Sequence, residues 1–132
     1  MMIKIRKPND FHHHLRENDL LKTTTKECFD KFYHVVVMPN LKTPITTIKQ
    51  ALLYRQQIID LDNRGNPLMT LYLNKNIPKE DLLTFKQYPE MIGIKYYPKS
   101  ATTNSNEGVD NINNILDILS IMEKMNIPLL VH

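Results

Sequence analysis

The chain has little of several things, and each shortage excludes a class of protein. Cysteine occurs once in 132 residues, at Cys28. A single thiol cannot close an intramolecular disulfide or build a cysteine-rich zinc cluster. Glycine occurs three times, at Gly65, Gly93 and Gly108. No strand-like segment is therefore followed by a glycine-rich phosphate loop, which argues against a dinucleotide-binding or P-loop fold. No apolar run approaches the ~20 residues of a membrane helix, and a membrane is not an expected partner. The start, Met1-Met2-Ile3-Lys4-Ile5-Arg6, lacks the apolar stretch of a signal peptide. The net charge of +3 comes from lysines scattered among acids. Lys42, Lys49 and Arg55 read as wet helix faces, so nucleic acid is not an expected partner either. A reducing, cytoplasmic setting fits best. With 42% apolar and 23% charged residues, the chain has the composition of one globular domain with a real core.

What is present is an alternation of strand-like and helix-like segments. Ile3 to Ile5 alternates with basic residues and predicts a short leading strand. Phe11 to Leu15 predicts a second. Leu20 to Phe32 carries Leu21, Cys28, Phe29 and Phe32 at helical spacing, with Cys28 as core filler. His34 to Met38 is β-branched, closes on Pro39-Asn40 and predicts a buried strand. Thr43-Pro44 predicts a helix start, with Ile45, Ile48, Leu52, Arg55 and Ile59 on one face. Leu68–Leu73 predicts a strand, Pro78 to Phe85 a short helix, and Met91 to Tyr97 a strand. Lys99 to Gly108 is polar and predicts a loop. Asp110 is the expected cap of a helix striped by Ile112, Ile115, Leu116, Leu119 and Met122. Pro128 to His132 predicts a last buried strand. Strand and helix repeated in this way imply parallel pairing through crossover helices, and favour a (β/α) barrel whose chemistry lies at the C-terminal strand ends.

Polar residues fall at those ends. In Asp10-Phe11-His12-His13-His14-Leu15-Arg16, alternate side chains of an extended chain share a face. His12, His14 and Arg16 then point one way. Two neutral imidazoles two residues apart can ligate one divalent metal. An arginine beside them can pair with an anion held near it. Asn40 closes the next strand, and His132 the last. Lys95 sits in an apolar strand, where a buried amine is costly unless something pairs it or changes its charge. Carbamylated by carbon dioxide, it would become an anionic ligand able to bridge two cations.

The segments DFHHHLR, VVMPN, IKYYP, ATTNS and PLLVH, in this order and spacing, resemble dihydroorotase of the single-domain bacterial type, within the amidohydrolase superfamily. The resemblance runs from about Ile3 to His132. It implies a TIM barrel that uses two zinc ions to interconvert N-carbamoyl-L-aspartate and L-dihydroorotate in de novo pyrimidine biosynthesis. By motif, His12 and His14 would bind one zinc, Lys95 would be the carboxylated bridge, and His132 would bind the second zinc. Arg16 and Asn40 would hold the substrate carboxylate beside His14 and His132. Thr102 and Thr103 would lie on a loop that closes over substrate. His13 departs from the pattern, which more often has an apolar or small residue there, and is expected to face away from the ligand pair. A hydantoinase- or allantoinase-like amidohydrolase would share the metal strand; Arg16 with Asn40 and the ATTNS loop favour dihydroorotase.

Length sets the last expectation. A TIM barrel needs ~250 residues, so residues 1–132 would form a partial barrel domain of about five parallel strands and four crossover helices. The family's sixth-strand histidine and its eighth-strand aspartate, the proton-transferring base, would lie beyond His132. No catalytic base is therefore expected within this chain. Alone it would be an inactive fragment, or a non-catalytic metal-binding interaction module. A homodimer is the expectation for a full-length protein only.

Overall fold

A computed structural model of the chain describes residues 2–132. Five strands form one parallel sheet in the order β1-β2-β3-β4-β5. They are β1 (Asp10–His13), β2 (His34–Val37), β3 (Asn66–Tyr72), β4 (Met91–Tyr96) and β5 (Leu129–Val131). Four α-helices join them: α1 (Asn18–Lys31), α2 (Ile48–Leu61), α3 (Lys79–Thr84) and α4 (Leu116–Lys124). A 3-10 turn, Phe85–Gln87, extends α3, and another, Ile112–Ile115, leads into α4. Sequential order in a parallel sheet requires every helix to carry the chain back to the same end, so all strand C-termini line one rim. The result is a curled half-barrel, the N-terminal portion of a TIM barrel.

The two sheet faces have different chemistry because side chains alternate along a strand. Val35, Val37, Met69, Leu71, Leu73 and Ile94 join the core under the helices, with Leu21, Phe29, Ala51, Ile58, Leu82 and Met122. The alternate positions Val36, Met38, Thr70, Tyr72, Lys95 and Tyr97 are also buried, on the concave face. Gly93 lies on that face of β4. A Cβ there would stand 2.4 Å from Leu130 Cδ1, so the bare position lets β5 pack closely against β4.

Several expectations need correction. Ile3 to Ile5 forms no strand, and Ile3 and Ile5 lie exposed. The backbone there finds no strand to pair with; order begins with the bonds from Tyr33 N to Pro8 O and from His34 N to Asn9 Oδ1. The helix expected at Thr43-Pro44 starts four residues later. Thr47 and Gln50 form a reciprocal capping box there, which satisfies otherwise orphaned amides. Its buried face is accordingly Ile48, Ala51, Tyr54 and Ile58, not the expected stripe. Asn111, not Asp110, caps the next helical segment, which opens as a 3-10 turn. That turn rotates Ile112 and Leu116 outward and buries Ile115, Ile118 and Met122. The last strand is an edge: among the described residues it pairs with β4 alone, and Leu129 and Val131 are 42% and 64% exposed.

The capping box yields a direct test. Thr47→Ala is expected to lower stability by about 1 kcal/mol. Thr43→Ala, outside the helix, should stay within about 0.5 kcal/mol of the parent. Urea unfolding of both variants checks the assignment.

Candidate functional site

β1 is irregular, and that irregularity aims its histidines. Asp10 pairs with Val35 and His13 with Val37, so one extra residue of β1 is accommodated as a bulge. Asp10 and His13 thereby share the helix-facing side, where His13 Nδ1 and Asp10 Oδ2 lie 2.8 Å apart. The other Asp10 oxygen accepts from the His12 amide at 2.9 Å. Burial would push the Asp10 carboxyl up, but these bonds outweigh it and hold it below its ordinary value. His13 is thus engaged away from the ligand pair, as its position implied.

His12 and His14 emerge together on the concave side. Their Nε2 atoms stand 3.2 Å apart. Two nitrogens at ~2.0–2.1 Å from one tetrahedral zinc would be about 3.3 Å apart, so the pair fits a shared ion. Burial, then the Arg16 guanidinium, lowers the His14 pKa to about 4, against an opposing side-chain bond with Asn40. Burial also lowers His12, helped by charge on Lys95 and His132. Both rings are therefore in the neutral, metal-ligating form near neutral pH.

Lys95 is 2% exposed. Its Nζ donates to Val131 O at 3.0 Å and lies 5.4 Å from the centre of the Tyr97 ring. Among the described residues, no carboxylate forms an ion pair with it. Desolvation lowers its pKa, which favours the neutral amine. His132 is exposed at the end of β5, with its ring 5.4 Å from that of Tyr97. Among the described residues, no group of three His, Cys, Asp or Glu side chains could hold a metal by itself. The concave wall thus carries the paired His12 and His14 rings, with Lys95 and His132 from β4 and the end of β5.

Asn40 is 2% exposed and bonded on several sides. Its Nδ2 donates to Thr103 O at 2.9 Å, and its Oδ1 accepts from Tyr97 Oη at 3.0 Å. Its backbone carbonyl accepts from Asn104 Nδ2 at 3.0 Å. The Thr102–Thr103 segment is thereby tied over the ends of β2 and β4. Thr103 makes this tie through its backbone while its side chain points to solvent; Thr102 is held by Ser105 Oγ, which accepts from its amide at 2.8 Å and donates to its carbonyl at 2.6 Å. Arg16 lies beyond β1 in a left-handed conformation, φ 65°. The face-sharing expected of an unbroken strand thus stops at His14, and a turn delivers Arg16 instead. Sequence reasoning missed Asp10, Tyr97 and Asn104. A carboxylate two residues before the first histidine, and the second tyrosine of IKYYP, were the available signals.

No protein-family model matches the chain. Dihydroorotase from Cronobacter sakazakii is 41% identical over 134 residues, spanning 99% of this chain and 38% of that protein. Dihydroorotase from Salmonella typhimurium is 42% identical with the same coverage. The crystal structure of dihydroorotase from Campylobacter jejuni superposes with a TM-score of 0.84 at 38% identity, over 96% of this chain and 38% of that one. The Saccharomyces cerevisiae dihydroorotase, solved with 5-fluoroorotic acid, gives 0.86 at 30% identity, over 95% and 35%.

The depressed His14 has a measurable consequence. The unfolded imidazole takes up a proton near pH 6.5, whereas the folded one resists until about pH 4. In metal-free buffer, stability should therefore fall as pH drops through that window, by at most about 1.4 kcal/mol per pH unit from this group. The slope should be shallower in His14→Gln, as read by urea unfolding. Equal slopes would contradict the assignment. In sequence and in fold, this chain is related to dihydroorotases and corresponds to the N-terminal portion of their barrel.

Proposed function

We propose that this chain is the N-terminal portion of a zinc-dependent dihydroorotase that interconverts N-carbamoyl-L-aspartate and L-dihydroorotate in the cytoplasmic synthesis of pyrimidines. The observation that carries the reading is the neutral imidazole pair, 3.2 Å apart, beside a buried lysine that has no carboxylate partner among the described residues. The chain spans 38% of the curated relatives it matches, so the complete activity belongs to a longer polypeptide. A homodimer, if one forms, belongs to that polypeptide as well.

In this reading His12 and His14 would hold one zinc ion and His132 a second, and Lys95, carboxylated on Nζ, would supply an anionic donor to both. The neutral amine favoured by burial is the form that attacks carbon dioxide, losing a proton as the N–C bond forms. Bound zinc supplies Lewis acidity that polarises an amide carbonyl and acidifies water. In the hydrolytic direction water adds to the ring carbonyl, the C–N bond breaks, and the ureido nitrogen takes the proton. Arg16 offers a planar two-donor fork to the substrate carboxylate. Asn40 would offer the same group the Nδ2 hydrogen that Thr103 O does not take. Thr102 and Thr103 close the site and exclude water. A secondary reading, that the chain alone binds zinc without turnover, rests on the same His12–His14 pair.

Two measurements test this. With zinc and 13C-bicarbonate, the chain is expected to show a carbamate resonance that Lys95→Arg lacks. The 132-residue chain alone should give no measurable cyclisation of N-carbamoyl-L-aspartate. Turnover at an ordinary enzymatic rate by this chain would sink the partial-site reading, and loss of the label in the wild type would sink the lysine bridge.

A further inference from the structure

Arg16 occupies a backbone conformation that a long side chain seldom adopts. Its φ is 65°, and Asn18, two residues on, has φ 55°. For a residue with a Cβ the left-handed region is disfavoured by roughly 1–2 kcal/mol, and it persists only where the surroundings impose it. The surroundings here are two hydroxyl groups from two different helices. Tyr54 Oη, on α2, donates to Arg16 O at 2.5 Å. Thr24 Oγ1, on α1, lies 2.5 Å from the preceding carbonyl, Leu15 O. Leu15 itself is fully buried and anchors the turn from below.

Among the described residues the Tyr54 hydroxyl makes no other hydrogen bond. Tyr54 is one of the four buried residues of α2, and only its ring is needed to fill the core. Burial, and then charge on Glu17, hold its phenol well above the ordinary value, so it is a permanent donor. A hydroxyl carried into a core must be satisfied, and it finds its partner 38 positions away in sequence, at a residue held in the left-handed region. The conformation has a directional result. The guanidinium lies near enough to His14 and Tyr97 for its charge to add to the lowering of the His14 pKa and to oppose the rise that burial imposes on the Tyr97 phenol. A right-handed or extended Arg16 would send the side chain elsewhere.

We propose that Tyr54 is a positioning residue: its hydroxyl holds the Arg16 backbone left-handed, so that the guanidinium faces the histidine pair and meets the carboxylate of the substrate. The proposal rests on the reading of Arg16 as the carboxylate-binding group. Tyr54 touches no substrate and acts only through the backbone of Arg16.

The test uses the complete chain, isotopically labelled, with Tyr54→Phe, Arg16→Ala and their combination. The amide–Hα coupling and the 13Cα and 13Cβ shifts of Arg16 report its φ directly. In the wild type they should show a left-handed residue, and in Tyr54→Phe they should shift toward ordinary values. A wild-type Arg16 at negative φ, or a variant that keeps the wild-type values, overturns the proposal. Should Tyr54→Phe fail to fold, Arg16→Gly/Tyr54→Phe decides, because glycine accepts positive φ without cost. Recovery of folding supports the clamp, and continued failure assigns Tyr54 to packing alone. The second measurement is binding of 5-fluoroorotate to the zinc-loaded chain. Tyr54→Phe should weaken it about tenfold, with no further loss in the Arg16→Ala background. A loss that adds fully to that of Arg16→Ala overturns the coupling. If neither the wild type nor Arg16→Ala binds the probe, the assignment of Arg16 to the carboxylate fails, while the spectra still judge the clamp.

Discussion

Parallel pairing is the constraint from which the rest of this molecule follows. Parallel neighbours cannot be joined by a tight turn, so each strand must be followed by a segment that returns the chain across the sheet. Strand order equal to sequence order then leaves a single geometry, with helices on one face and every strand C-terminus on one rim. His12, His14, Asn40, Lys95 and His132 come from four strands and from positions up to 120 residues apart, since 132 − 12 = 120. They converge because each sits at or just past the end of a strand that must point the same way.

The concave face shows what this convergence costs. Lys95, Asn40, Tyr72 and Tyr97 are buried polar groups in a sheet whose other face is almost wholly apolar. Each needs a partner, and the partners are mostly backbone carbonyls or one another. Tyr72 and Tyr97 stack with ring centres 5.1 Å apart, which supports the Tyr97 hydroxyl where it meets Asn40. The amide of Asn40, just past β2, thus answers at once to Thr103 in the β4–α4 loop and to Tyr97 at the end of β4, two strands away. That differs from a side chain waiting free for a ligand.

Strand and helix type were legible in the sequence because they depend on local spacing. Cys28 lies seven residues after Leu21, and Phe32 lies four after Cys28 and three after Phe29, while His34-Val35-Val36-Val37 is suited to a strand. Boundaries were less legible. Thr43-Pro44 and Thr47 are both good caps, and only the reciprocal bond with Gln50 selects the second. The rotation of α4 follows from one turn of 3-10 helix, which no periodicity announces. The positions and residue types of the candidate site were readable, but its geometry was not. The bulge that turns His13 toward Asp10 depends on pairing with β2, and the left-handed Arg16 depends on a hydroxyl 38 positions away.

Sequential strand order also sets the path by which such a sheet can grow. Each strand pairs with the strand made just before it, so no segment has to wait for a distant one before it can dock. As the chain leaves the ribosome, the sheet can lengthen by one strand and one helix at a time, with short loop closures at each step. The exposed Leu129 and Val131 on β5 are then the leading edge of that growth, as each earlier strand was in its turn. Between one addition and the next, an apolar edge faces water, and that interval is when association with another copy competes with folding.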